Sequence, residues 1–165
     1  MDSQKQLIDT FLAEHRFAII GVSRDEKDFS RMIFREFTSR GYDVVPVNSS
    51  RERIEGVASF ARIGDIHPAV QWTMILLAKS KMEAAVRECI EAGMKKLWLY
   101  GITGAKEIPV EVMELSKQHS LQLVTGYCPF MFLEKTAFFH RAHGFVWKLL
   151  GMYPKDGANV ARVSA

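Results

Sequence analysis

The sequence has few cysteines, no long apolar run and little excess charge, and each shortage argues against a class of protein. Its two cysteines, Cys89 and Cys128, lie far apart among 165 residues, so we expect reduced thiols and a cytoplasmic location. No stretch reaches the roughly 18 uncharged apolar residues that a membrane span needs, and the polar N-terminus lacks the apolar region of a signal peptide. Neither export nor a membrane span is therefore expected.

The charge is nearly balanced over most of the chain. Of 22 basic and 19 acidic residues, 17 of each lie within residues 1–126, so the positive excess falls in residues 127–165. Such a local excess does not produce the strong positive potential of a nucleic-acid-binding protein. We therefore do not expect a nucleic-acid partner. The length and the 48% of hydrophobic residues suit one compact domain with a substantial core.

Short apolar runs alternate with helical patterns along residues 1–126. Such runs are typical of strands that are buried on both faces, and right-handed crossovers place helices over a parallel sheet. The pattern predicts one doubly wound α/β domain. We expect helices over 4–14, from Ser30 to Gly41, over 81–92 and from Pro109, strands over 17–22, 42–47, 72–78, 97–100 and 121–124, and one short helical turn near 60–63 in the connection 48–70.

The loop after the first expected strand combines a glycine with hydroxyl and basic side chains. Gly21 permits a sharp turn, and Ser23 and Ser30 offer hydroxyl groups, with Ser30 also the candidate N-cap of the following helix. Free backbone amides at the start of a helix form an anion site that a diphosphate can occupy. An ordinary strand-to-helix loop is the alternative. Mobile positive charge is expected on Arg24, Lys27 and Arg31.

This loop does not carry the fingerprint of an NAD site. That fingerprint has three glycines and an acidic residue at the end of the second strand, whereas this loop has Gly21 alone and the second strand is followed by Asn48. Asn48 can bond a ribose or an adenine edge, while Arg51 or Arg53 faces a phosphate on that ribose. A 3′-phosphorylated adenosine and the 2′-phosphate of NADP both fit this arrangement.

Two motifs make the chain similar to a known family. With GVS after the first strand and GYDVVPVN at the end of the second, residues 17–48 resemble the small bacterial CoA-binding domain proteins. The resemblance extends over residues 11–130, through the IEGV, LAKS, EAG and GYCP segments. It implies a Rossmann-like domain, similar to the nucleotide-binding domain of the succinyl-CoA synthetase α subunit, with coenzyme A or an acyl-CoA as its cofactor.

The resemblance also implies which residues contact the cofactor. Two positions depart from the common pattern: Ser49 stands where the family usually has proline, and Lys79 and Ser80 stand where related proteins often have prolines. The second departure puts a charge beside the thiol arm. By position, the diphosphate is expected to contact Gly21, Ser23, Arg24 and Ser30, with Arg31 nearby. The phosphoadenosine is expected to contact Asn48 together with Arg51 or Arg53, and the pantetheine is expected to contact Ala78, Lys79 and Gly101.

Residues 127–165 form an aromatic C-terminal extension. Five of the eleven phenylalanines lie within residues 127–153, and such a density is expected to be buried. The favoured arrangement is that the extension packs on the sheet domain and does not form an independent domain. The alternatives are that it forms the seam of a homodimer or binds a membrane surface. Cys128 with His140 and His143 is a candidate zinc site, and Cys128 is also a candidate redox or nucleophilic thiol.

Three functions remain open from the sequence. No base, nucleophile and orienting group occur together after the expected strands, so a non-catalytic module that binds coenzyme A or an acyl-CoA is the leading hypothesis. The enzyme alternative is an NADP-dependent or acyl-transfer catalyst that uses Cys128, His140 or His143. A dimeric interaction protein with no nucleotide ligand is the third hypothesis.

Overall fold

A parallel sheet with helices on both faces forms the centre of the molecule. The computed structural model describes residues 3–49, 53–101 and 104–133. Within them the strands are β1 (Arg16–Ile20), β2 (Asp43–Val47), β3 (Trp72–Ile75), β4 (Lys96–Leu99) and β5 (Gln122–Thr125), and the α-helices are α1 (Gln4–Ala13), α2 (Phe29–Ser39), α3 (Lys79–Glu91) and α4 (Val110–Gln118). The strand order is β2-β1-β3-β4-β5, and every pairing is parallel. The expected doubly wound α/β fold is confirmed.

Both faces of the sheet are apolar because alternate residues of a strand point to opposite sides. In β1, Ala18 and Ile20 pack on one face with α3 and α4, whereas Phe17 and Ile19 pack on the other face with α1 and α2. Phe11 of α1 lies at the centre of the second face. Its ring meets aromatic neighbours edge-on, with centroid distances of 6.0 Å to Phe37, 5.5 Å to Trp72 and 4.9 Å to Trp98.

Both edge strands have additional partners. At β5, Gln4 Nε2 donates to the Leu123 carbonyl over 2.6 Å, and the Thr125 amide donates to Gln4 Oε1 over 3.1 Å. At β2, Pro46 is tolerated because an edge strand can lose a donor, and its carbonyl accepts from the Phe60 amide. These contacts occupy part of each edge that would otherwise be open to another strand.

Three helices begin at other residues than the sequence predicts, and one of them is α3, which starts at Lys79 rather than at residue 81. Asp28 is the N-cap of α2, which starts at Phe29, so the prediction of Ser30 as the N-cap was wrong. Pro109 is the N-cap of α4 rather than its first residue. The N-cap of α2 thus lies two residues before the predicted one, and α4 starts one residue later than predicted, which is the usual difference between a sequence pattern and a hydrogen-bonded helix end.

The segments after β2 and β3 also differ from the prediction. β3 ends at Ile75 rather than at residue 78, and residues 76–78 connect it to α3, which begins at Lys79. The one short helical turn expected near 60–63 is a 3-10 helix at Ile63–Asp65, displaced toward the C-terminus because Phe60 pairs with Val47 beside β2. An apolar run thus marked the strand but not its end.

The chain after β5 packs against the sheet as far as the structure describes it. A 3-10 helix spans Pro129–Met131, and Phe130 and Leu133 are buried in the same core as α1 and α2. The Trp98 indole nitrogen donates to the Tyr127 carbonyl over 2.9 Å. The start of the aromatic extension is therefore attached to β4 and to the core beneath it.

Most of the aromatic extension, residues 134–165, lies outside the described residues. The favoured packing of the extension on the domain therefore stays a prediction, and so do the two alternatives, a homodimer seam and a membrane surface. In the part of the chain that the structure describes, no helix combines the length and the apolar character that crossing a bilayer requires.

Candidate functional site

The carboxyl ends of β1 and β3 form the point where the order of the sheet reverses. β1 lies between β2 and β3, and α2 and α3 leave toward opposite faces. In open α/β sheets this crevice is the usual position of a ligand. Gly21 follows β1 with φ 97°, and a Cβ atom there would lie 2.7 Å from the Leu76 carbonyl oxygen. Only glycine lets the loop after β1 lie this close to the chain that leaves β3.

Hydrogen bonds within the loop after β1 fix its conformation. The Ser23 amide donates to Ser30 Oγ over 2.9 Å, the Asp25 amide to Ser23 Oγ over 3.1 Å, and the Lys27 amide to Asp25 Oδ1 over 2.9 Å. The structure thus brings together the two serines that the sequence singled out. Each hydroxyl already accepts a backbone donor, so the loop is ordered by its own side chains.

A carboxylate caps the opening of α2. Asp28 Oδ1 accepts from the Ser30 amide over 2.8 Å and also from the Ser30 hydroxyl, while the Asp28 carbonyl accepts from the Arg31 amide over 3.0 Å and from the Met32 amide over 3.2 Å. The expectation that free amides open α2 toward an anion was therefore wrong for this conformation. Aspartate is a favoured N-cap because its oxygen satisfies amides that a helix leaves unpaired.

Arg31 is held in an ion pair, so the expectation of mobile charge on it was wrong. Its side chain is 8% exposed, and its Nε donates to Glu55 Oε1 over 3.1 Å. Its Nη1 donates to the carbonyls of Ser23 and Arg24 over 3.2 and 3.4 Å. Arg31 therefore supports the backbone of the loop after β1 and is committed to partners within the chain.

Two residues that the sequence did not single out complete this cluster. Arg35 Nε donates to Glu55 Oε1 over 2.8 Å, and Arg35 Nη1 donates to the Glu26 carbonyl over 2.9 Å. Hydrogen bonds from Arg31 and Arg35 lower the pKa of Glu55, so its carboxylate stays charged at neutral pH. The i, i+4 spacing of the two arginines was an available signal. Glu55 left no such signal, because its partners are distant in sequence.

Cations and an amide side chain surround the ends of β1 and β2. Arg24 and Lys27 lie exposed on the loop after β1. Asn48 follows β2, and its Nδ2 donates to the Val22 carbonyl over 3.2 Å. The structure therefore places Asn48 beside the β1 loop, where one of its donors holds the loop backbone.

The two arginines expected to face a ribose phosphate follow Asn48 in the chain. Arg53 is exposed, and its guanidinium donates to the Gly56 carbonyl. Arg51 lies outside the described residues. The expected choice between the two arginines therefore stays open.

The residues expected to flank a pantetheine also lie at the carboxyl edge. Ala78 is the N-cap of α3 and Lys79 its first residue, and both are exposed. Gly101 is buried after β4, and a Cβ atom there would lie 2.5 Å from the Gly104 carbonyl oxygen. Glycine at position 101 thus leaves room for the Gly104 carbonyl of the same loop.

An aromatic stack that the sequence did not reveal lies between α2 and the end of β4. The rings of Phe29 and Tyr100 stack with centroids 5.0 Å apart, and Phe130 meets Phe29 edge-on at 5.9 Å. Burial, with smaller contributions from Cys128 and Glu107, raises the pKa of Tyr100 to about 12. The stack therefore offers apolar surface and a hydroxyl that stays protonated at neutral pH.

Neither cysteine has the character of a nucleophile. Both are free, and burial raises the pKa of Cys128 to about 11 and that of Cys89 to about 12. A reactive thiol needs a lowered pKa, so the structure does not support Cys128 as a nucleophile. Among residues 3–49, 53–101 and 104–133, no three His, Cys, Asp or Glu side chains form a metal-binding group. His140 and His143 lie outside those residues.

Comparison with curated proteins gives a relative that is a larger enzyme subunit. The chain is 26% identical over 129 residues to the alpha subunit of ADP-forming acetate–CoA ligase II from Pyrococcus furiosus. The alignment covers 74% of this chain and 28% of the subunit. The chain therefore corresponds to only one part of that protein.

Solved structures share the fold. A conserved hypothetical protein from Pyrococcus furiosus superposes with a TM-score of 0.62 at 22% identity, covering 68% of this chain and 94% of that chain. The dinucleotide-forming acetyl-coenzyme A synthetase 1 of Ca. Korarchaeum cryptofilum, in complex with phosphate and ADP, gives 0.58 at 19% identity, covering 66% of this chain and 25% of that chain. The same fold thus occurs as nearly a whole protein and as part of a larger enzyme.

A family model decides the relationship. Residues 15–134 match the model described as CoA binding domain. The matched range contains the β1 loop, the cluster around Glu55 and all five described strands. The resemblance based on the GVS and GYDVVPVN motifs is confirmed, and the chain belongs to the CoA binding domain family.

Proposed function

We propose that this chain binds coenzyme A or an acyl-CoA at the carboxyl edge of β1 and β3, as a binding or regulatory module without turnover. The observation that carries the proposal is the position of the β1 loop at the topological switch point of a chain in the CoA binding domain family. Bound there, coenzyme A supplies a thiol that carries acyl groups. The chain's own residues hold the phosphates and the adenosine.

Exposed cations near the ends of β1 and β2 fit a phosphate-bearing ligand. Arg24 and Lys27 on the loop and Arg53 beyond β2 are exposed cations of the kind that recognises phosphate. The acids of the β1 loop do not fit such a ligand: Asp25 and Glu26 are exposed, and the Asp28 carboxylate stands at the opening of α2, where it repels an anion. We therefore assign the diphosphate to the side of the loop that carries Arg24 and Lys27, rather than to the amides of α2.

The pantetheine is assigned to the β3 and β4 side of the crevice. Phe29 and Tyr100 are half-buried there and offer apolar surface, while the exposed start of α3 at Ala78 and Lys79 follows β3. Apolar surface with a few polar groups is typical of a cofactor site. The positive charge of Lys79 is compatible with an acyl group that carries a carboxylate.

The protonation states of nearby groups support binding without turnover. The thiol of Cys128 and the hydroxyl of Tyr100 both have raised pKa values, about 11 and about 12, so neither is ionised at neutral pH. A nucleophile or general base needs a pKa near the working pH. A Cys128→Ser variant is expected to bind coenzyme A as tightly as the wild type, and thiol-dependent turnover that this substitution abolishes would contradict the proposal.

A thermal-shift panel separates the candidate ligands. At about one hundred times its dissociation constant, a ligand stabilises the native state by about 2.7 kcal/mol, which for a domain of this size raises Tm by roughly 5–10 °C. We expect such a shift with coenzyme A and acetyl-CoA, and smaller shifts with NADP, NAD and ATP. A larger shift with NADP would favour an NADP-dependent enzyme, and no shift with any of them would favour an interaction protein.

The 3′-phosphate provides a second test. If Arg53 binds that phosphate, dephospho-CoA should bind about tenfold more weakly than coenzyme A, since a charge-assisted hydrogen bond contributes about 1.5–3 kcal/mol. Arg53→Ala should remove the difference in calorimetric titrations. Arg62→Ala, which removes an exposed arginine near Glu91, is the matched control and should keep it. Equal affinities in the wild type would refute recognition of the 3′-phosphate.

A further inference from the structure

Glu55 occupies a turn that does not favour glutamate. Ile54 and Val57 exchange two backbone hydrogen bonds of 2.8 Å, and the two residues between them, Glu55 and Gly56, have φ 48° and φ 80°. Positive φ at both central positions is the geometry of a type I′ turn, which favours Asn, Asp and Gly. The glutamate therefore bears a backbone cost that turn formation does not explain.

The partners of Glu55 explain its presence. Its Oε1 accepts from Arg31 Nε over 3.1 Å and from Arg35 Nε over 2.8 Å, and Arg35 Nη2 lies 2.6 Å from the same oxygen. The Arg31 side chain is 8% exposed, and a buried guanidinium without a counter-ion is costly. One carboxylate thus pairs with and orients two arginines of α2, and the three side chains together keep a net charge of +1.

Each of these arginines also holds the β1 loop. Arg31 Nη1 donates to the carbonyls of Ser23 and Arg24, and Arg35 Nη1 donates to the carbonyl of Glu26. All three carbonyls belong to the segment between Gly21 and the Asp28 cap. A side chain from beyond β2 therefore contacts both arginines that bind backbone carbonyls of the β1 loop, in addition to the loop's own hydrogen bonds.

We propose that Glu55 is a positioning residue that preorganises the β1 loop for the diphosphate of coenzyme A, acting through Arg31 and Arg35. The choice of ligand rests on the proposed function. A loop already held in its binding conformation loses less entropy when the ligand binds. Glu55 thereby couples the adenosine half of the site, beyond β2, to the diphosphate half after β1.

The test uses Glu55→Asn in the full chain, because asparagine suits the turn while removing the charge. Calorimetric titration should show coenzyme A binding about tenfold more weakly, whereas adenosine 3′-monophosphate, which lacks the diphosphate, should change by less than about twofold. The control Glu36→Gln removes the Arg40 ion pair of the same helix and should change neither affinity. Equal losses for both ligands, or unchanged or tighter binding of coenzyme A, would overturn the proposal.

Hydrogen exchange without ligand keeps the two proposals separable. Amides of residues 23–28 should exchange faster in Glu55→Asn, and also in Glu55→Gln, which preserves side-chain length if the first variant folds poorly. Unchanged exchange in this segment overturns the positioning role whatever the ligand. A wild-type chain that does not bind coenzyme A, while the exchange result is as expected, refutes the proposed function and leaves the effect on the loop established.

Discussion

Asp28 dominates the electrostatics of the loop after β1. The segment 24–28 reads Arg-Asp-Glu-Lys-Asp and thus has three acids against two bases. The sequence drew attention to the bases, whereas the structure shows that Asp28 stands at the opening of α2 and accepts from Ser30. A diphosphate on this loop would therefore lie near a carboxylate, with Arg24 and Lys27 as the exposed cations of the same segment.

The first prediction concerns that carboxylate. Asp28→Asn should increase the affinity for coenzyme A by about threefold, since a nearby negative charge weakens anion binding. Tm should hardly change, because asparagine caps a helix about as well as aspartate. Calorimetry at low and high salt measures the gain, which should shrink with screening. The control Asp9→Asn removes a charge paired with Lys5 on α1; an equal gain there, or none at Asp28, contradicts the assignment.

The second prediction concerns the thiol of Cys128. Its pKa is raised from 9.0 to about 11, so the folded state favours the neutral thiol. The stability that this contributes is present below pH 9 and is lost as pH rises from 9 toward 11. In a Cys89→Ser variant, alkylation of Cys128 by iodoacetamide should be slow at pH 7 and should accelerate through that window. Rapid alkylation at pH 7 would show an activated thiol and restore the catalytic hypothesis.

At the scale of elements, the approach of β1 and β3 depends on Gly21. Both Gly21 and Gly41 have positive φ, 97° and 87°, but only Gly21 lacks room for a side chain, because a Cβ atom would lie 2.7 Å from the Leu76 carbonyl oxygen. Gly41 has no atom within 4 Å of that position. A comparison of Gly21 with Gly41 therefore separates the cost of a left-handed backbone from the cost of close packing.

The third prediction compares alanine at these two glycines. Gly41→Ala should lower the free energy of unfolding by about 1 kcal/mol, the cost of a left-handed conformation for a residue with a Cβ atom. Gly21→Ala should lower it by about 3 kcal/mol or more, because the strands must also separate. Urea denaturation of both variants measures the difference. Equal losses would show that close packing at Gly21 contributes nothing beyond the cost of its left-handed backbone.

The order of elements could be predicted from the sequence, but their ends could not. Buried parallel strands are continuous apolar runs, so all five were recognisable. Leu76 and Leu77 prolong such a run although β3 ends at Ile75. The Leu76 amide still donates to the Ile20 carbonyl, and both side chains are partly buried against the two cores. Hydrogen bonding, rather than hydropathy, decides where a strand or helix ends.

The site was predictable only as far as local sequence determines it. The β1 loop and Asn48 could be placed because strand ends meet at one edge of a parallel sheet. Glu55, Arg35 and Tyr100 could not, since their roles come from partners that are distant in sequence. The caps and ion pairs that the structure reveals also changed the interpretation of Ser30 and Arg31, whose polar groups contact the protein itself.

At the scale of the whole molecule, the segment after β5 completes one of the two cores. Phe130 is 5% exposed and belongs to the core of α1 and α2. Its ring also meets Phe29 at the start of α2. The core of α1 and α2 therefore includes residues beyond 126, as far as Leu133 in the part of the chain that the structure describes.

The fourth prediction tests this contribution. Phe130→Ala should lower the free energy of unfolding by about 3 kcal/mol, the usual cost of removing a buried phenylalanine. Val110, whose side chain is 66% exposed, provides the control, and Val110→Ala should change stability by less than about 0.5 kcal/mol. A similar small effect at both positions in urea denaturation would show that the segment after β5 packs only loosely.

The central claim is that coenzyme A binds along the carboxyl edge of β1 and β3, and amide hydrogen exchange of the full chain with and without saturating coenzyme A tests it most directly. Bound ligand slows exchange where it suppresses local opening. The account predicts protection of residues 21–30 and of the turn 53–57, with little change in α4. Protection confined to other regions, or no change at saturating coenzyme A, would contradict it.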